Sequence, residues 1–112
     1  MKKIFPIILF LSVFSCGKID CDGLSDLYRN EECLLIFEEL PNKDSRLNAK
    51  GKHLITGEEC VCSDKGRWWA QFRDYLEKGD TIIKRKGELT FIIQKEDTVL
   101  SYQWNCEGKD YY

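Results

Sequence analysis

Twelve residues separate Lys3 from Cys16, and apart from Ser12 and Ser15 the run is apolar. At about 1.5 Å per residue a helix of that length covers about 18 Å, whereas a bilayer core of about 30 Å needs nearer twenty residues. Pro6 also argues against a long uninterrupted helix. Two lysines (Lys2, Lys3), a short apolar core and a small residue at its end are the layout of an export signal. The expectation is that residues 1–15 are a signal peptide, so that the fold must be built from the 97 residues that follow. That length suits one domain, in a compartment that permits disulfides.

The end of the run, Val13-Phe14-Ser15-Cys16, resembles the signal peptide of a bacterial lipoprotein. Val13 and Ser15 match the aliphatic and small positions of that pattern, while Phe14 stands where a small residue is more common. The resemblance implies that cleavage precedes Cys16, that its sulfur takes a diacylglyceryl group, and that the new amino terminus is acylated. Two or three acyl chains, palmitate among them, give a stable anchor where one binds reversibly. In enterobacterial sorting logic an Asp after the lipidated cysteine retains a protein in the inner membrane. Gly17 stands there, so the resemblance favours the outer membrane of the cell envelope. The remaining chain is similar in size to small envelope lipoproteins.

Without Lys2 and Lys3, 15 basic residues face 19 acidic ones, a net charge of −4 with His53 neutral. A mildly acidic domain with interspersed charges points away from nucleic acid. Of six cysteines, five remain for the fold: Cys21, Cys33, Cys60, Cys62 and Cys106. An odd count leaves at least one thiol unbridged within the chain. The preferred bridge joins the Cys60/Cys62 strand to Cys106, with Cys21–Cys33 as the second.

Residues 16–32 read as a lipidated tether, because Gly17, Asp20, Asp22, Gly23, Ser25 and Asp26 favour turns. Within it, Leu24, Leu27 and Tyr28 suit one helical turn. Residues 33–112 then form a single compact domain. Cys33 to Leu40 reads as a buried strand ended by Pro41-Asn42-Lys43-Asp44. Arg46 to Ile55, interrupted at Gly51, and Glu58 to Ser63 read as a hairpin. From Asp64 to Gly79 the period changes: Trp68, Phe72 and Tyr75 fall at helical spacing, with Asp64 placed to cap. Thr81–Lys84, Glu88–Lys95 and Thr98–Cys106 follow as strands, and Gly108–Tyr112 as a frayed tail. The expected class is α+β, mainly antiparallel, in the order β-β-β-α-β-β-β: a small curved sheet or barrel with one short helix.

Three constellations carry chemistry. His53 is the single histidine and has no local partner resembling a catalytic dyad or triad, so no enzyme activity is expected. Cys60-x-Cys62 with His53, Cys33 or Cys106 would make a soft metal set, but disulfides are the stronger expectation in an exported chain, and no metal or cofactor is assigned. Arg67, Trp68 and Trp69 are the candidate binding surface, since an aromatic beside an arginine is the usual look of a recognition patch. The sequence therefore points to a membrane-anchored, non-catalytic interaction module that recognises a protein or an envelope polymer. An envelope inhibitor or immunity-type protein is the alternative, and a Cys/His metal carrier stands behind it.

Overall fold

The computed structural model describes residues 19–41 and 46–112. The signal run, Cys16 and the Asn42-Lys43-Asp44 turn lie outside the described residues. The chain is an α+β domain dominated by a six-stranded antiparallel sheet. Its strands are β1 (Cys33–Glu39), β2 (Asn48–His53), β3 (Glu59–Ser63), β4 (Thr81–Lys84), β5 (Thr90–Gln94) and β6 (Val99–Gln103). They run in the spatial order β3-β2-β1-β4-β5-β6, so β3 and β6 are the ends of an open sheet.

Alternation selects the buried face. Cys33, Leu35 and Phe37 of β1 point into the core, as do Phe91 and Ile93 of β5. Leu35 pairs with Ile82, and Phe91 with Tyr102, so apolar side chains continue from strand to strand. At Gly51 the backbones of β1 and β2 come so close that a Cβ would sit 1.9 Å from the Ile36 carbonyl oxygen. Only glycine fits there. One residue further along β1 the pairing jumps from Phe37↔Gly51 to Glu39↔Lys50, a bulge that bends the strand.

Three segments depart from the sequence expectation. Residues 21–32 are not tether: Cys21–Arg29 forms α1, with the Asp20 side chain accepting from the Gly23 amide at 3.0 Å. Cys21, Leu24, Ser25 and Tyr28 fall at i, i+3, i+4 and i+7 and turn toward the core. The helix between β3 and β4 is a 3-10 helix confined to Trp69–Tyr75. Three residues per turn eclipse positions i and i+3, which aligns Trp69, Phe72 and Tyr75. The expected frayed tail is instead a second small hairpin, β7 (Asn105–Cys106) with β8 (Lys109–Asp110). It is held by Trp104 packed on Tyr111, ring centres 5.0 Å apart, and by the Arg29 guanidinium donating to the Tyr112 carbonyl.

The bridges also differ from the expected pairing: they join Cys21 to Cys106 and Cys33 to Cys62. Cys33 and Cys62 sit on strands with β2 between them, and in a flat sheet the two strand spacings alone would separate them by at least about 9.5 Å. Their Cα atoms are 5.6 Å apart, so the sheet is curled here. Cys60 is the free cysteine among the described residues, half-buried opposite Gly51.

Candidate binding groove and the polar cluster behind it

A groove of about 610 Å3 opens between the 3-10 helix, β6 and the terminal hairpin. The rings of Tyr28, Trp68, Phe72, Tyr102 and Trp104 line it, with Gln71, Ser101, Gln103, Asn105 and Asp110 as its polar groups. Phe72 stacks on Tyr102 at 4.3 Å between ring centres, and Tyr102 on Tyr75 at 6.0 Å. Tyr75 is half-exposed, so the stack runs from the core to the surface beside the groove. Gln103 is fully engaged, since Thr90, the Leu89 carbonyl and the Tyr111 carbonyl bind its amide. Asn105 is bound to Asp110 and the Gly108 amide. Gln71 donates to the Trp68 carbonyl, which leaves its side-chain oxygen directed to ligand or solvent. Among the described residues the lining holds one formal charge, Asp110, and no cation.

Behind the groove wall side-chain oxygens take up the amides of Lys65, Gly66 and Trp69. Lys65 donates to Glu31 Oε2 at 2.7 Å. Gly66 and Trp69 donate to the two oxygens of Asp64 at 3.1 and 2.7 Å. The Tyr28 hydroxyl lies against the backbone of this turn. A Cβ on Gly66 would lie 2.1 Å from that hydroxyl, so this turn depends on glycine. Lys84, fully buried at the end of β4, donates to the carbonyls of Glu31 and Arg85 at 2.7 and 2.9 Å.

Burial, then the neighbouring Asp64, pushes the Glu31 carboxyl up to about 7 against the opposing pull of the Lys65 amide. Burial brings the Lys84 ammonium down to about 8, although Glu31 opposes the shift. Burial raises the Tyr28 hydroxyl as well.

The structure separates the residues that the sequence grouped. Trp69 is 1 % exposed and belongs to the core, which removes it from any binding surface. Trp68 is buried too and shows the groove an edge; Arg67 is exposed but does not line it. Both tryptophans are buried because the turn before the 3-10 helix aims them separately: Trp68 packs on Tyr28, Trp69 on Phe91. The metal set is dismantled by the bridges, since Cys33, Cys62 and Cys106 have no thiolate to offer. Burial raises the remaining Cys60 thiol, with Glu59 adding to the shift, and the His53 Nδ1 accepts from the Ile55 amide at 3.1 Å. No group of three or more metal-binding side chains occurs among the described residues. Sequence reasoning missed Gln71, Ser101 and the whole Glu31–Asp64–Lys84 cluster.

Comparison with protein-family models, curated proteins and solved structures returns no match to this chain.

Proposed function

We propose that the chain is a cell-envelope lipoprotein, anchored through acylated Cys16, whose folded domain is a non-catalytic binding module for an envelope glycan. The observation that carries this reading is the groove lining: aromatic rings beside neutral amide and hydroxyl groups, with a single carboxylate and no cation. Sugar rings stack their C–H faces on aromatic side chains, while their hydroxyls need the mixed donors and acceptors that Gln71, Ser101 and Asp110 supply. A polyanion would meet Asp110 without compensation. The short signal-like run ending in Ser15-Cys16 supports the anchor, and among the described residues no helix is long and apolar enough to cross a membrane.

The test of the groove is co-sedimentation of the domain with purified envelope glycan. Gln71→Ala and Tyr75→Ala, both at exposed positions, should each weaken retention several-fold while the fold stays intact. Equal retention by both variants, or none by the parent chain, removes the reading. The anchor is tested by the mass of the membrane-bound chain and by Cys16→Ser, which should release it from membranes.

A further inference from the structure

Three ionisable side chains meet at the back of the groove wall: Glu31 from the α1–β1 connection, Asp64 from the end of β3, and Lys84 from the end of β4. They are 7 %, 1 % and 0 % exposed. The local donors are already committed. The Lys65 amide goes to Glu31 Oε2, the Gly66 and Trp69 amides go to Asp64, and the Lys84 ammonium goes to two backbone carbonyls. Glu31 Oε1 is buried and meets no donor among the described residues. Glu31 Oε2 and Asp64 Oδ1 accept from the adjacent amides of Lys65 and Gly66, which sets the two carboxyls against each other. An ionised carboxylate only accepts, so the two groups bond to each other only when one holds a proton.

We propose that Glu31 and Asp64 form a buried proton-binding site, in which one proton carried by Glu31 bridges the two carboxyl groups. That proton holds the 64–69 turn, and Trp68 with it, against the α1–β1 connection. The other groups facing the site are the Tyr28 hydroxyl from α1 and the Lys84 ammonium from β4; Glu88 and Glu32 act in turn on Lys84. Lys84 is the nearby cation, but it is spent on carbonyls, so it weakens the repulsion between the carboxyls without replacing the proton.

The direction of the pH dependence follows from these groups. Glu31 binds its proton up to about pH 7 in the folded chain, against an ordinary value of 4.5. Between those values the folded state holds a proton that the unfolded state has released, so stability falls as pH rises. Above about pH 7 the Glu31 contribution is exhausted. Lys84 then acts in reverse, because the unfolded chain holds the ammonium proton from about 8 to 10.5 and the folded chain does not. The combined contribution of Glu31 and Lys84 to stability therefore passes through a minimum between about pH 7 and 8.

The decisive experiment is a carbon-13 NMR titration of the Glu31 side-chain carboxyl in the full-length chain, held in detergent and without ligand. The expected midpoint lies within a unit of neutrality; a midpoint in the ordinary carboxylate range overturns the proposal. The companion measurement is the unfolding constant at pH 5 and pH 8, which should rise on the order of fifty-fold in the parent chain. Glu31→Gln should abolish that rise, since its amide can donate to Asp64 while its oxygen still accepts from Lys65. A rise that persists in the variant also overturns the proposal. If the variant does not fold, the titration of the parent chain still decides. Because no ligand enters either measurement, failure of the glycan reading and failure of this one are separately visible.

Discussion

Two polar centres flank β4, and they are built from the same residue types to opposite effect. At its start, Asp80 meets Lys95 directly at 2.6 Å, and Lys95 also reaches Glu77 at 2.9 Å. At its end, the Lys84 ammonium binds carbonyls, and the Glu31 carboxyl faces another carboxyl. The first centre opens to water on the Glu77 and Lys95 side, and its hydrogen bonds to Asp80 and then Glu77 raise the Lys95 ammonium above its usual range. In the second, burial dominates and each charged form is disfavoured. A cation and an anion placed a few ångströms apart do not make an ion pair; which atom each one touches decides whether charge is favoured.

The comparison can be broken most severely at Asp64. Asp64→Ala strands the buried amides of Gly66 and Trp69 and should cost about 3 kcal/mol in urea unfolding. A loss under about 1 kcal/mol would mean that water already serves those amides. Glu31→Gln should act through pH and not through overall stability: the loss of about 2 kcal/mol between pH 5 and 8 disappears. At the other centre, Lys95→Met should lower stability by clearly less than Asp64→Ala, and the loss should shrink in high salt because the pair is partly hydrated. Glu77 is 78 % exposed, and Glu77→Gln should change stability by less than about 0.5 kcal/mol. Alkaline titration separates the two lysines by sign. Stability gained through Lys84 rises above about pH 8, whereas that from Lys95 is lost as pH climbs through its raised value.

The strands could be read in the sequence because each buries one face against a common core. Leu89, Phe91 and Ile93 share a side by alternation, and the structure pairs Phe91 with Tyr102 and Ile93 with Leu100. Helix α1 was obscured by its glycine and aspartates, although Cys21, Leu24, Ser25 and Tyr28 carry a helical stripe. Nine residues have little helical stability of their own, and packing supplies the rest. The bridges were out of reach because Cys33–Cys62 follows from the curl of the sheet and Cys21–Cys106 from the docking of α1 beside the terminal hairpin, and no local pattern encodes either.

The polar cluster did leave a trace. Glu31 continues the inward phase of Cys33, Leu35 and Phe37, and Lys84 continues that of Ile82. Both look like surface charges until the alternation is carried to the last residue of β4 and past the start of β1. Of the groove only Trp68 was marked in advance, since Gln71 and Ser101 are far apart in sequence and ordinary in type.

The Cys21–Cys106 bridge has a mechanical consequence. It ties a residue close to the amino-terminal end of the described chain to one close to its carboxyl end, 85 positions away. A pull applied ahead of Cys21 and resisted by something held against Asn105 or Asp110 passes through one covalent link. The six-stranded sheet lies to the side of that path, so its strands are not peeled apart in turn. A single proteolytic cut between the two cysteines would likewise leave the fragments joined. Reduction of this one bond would reroute the same force through α1 and the sheet.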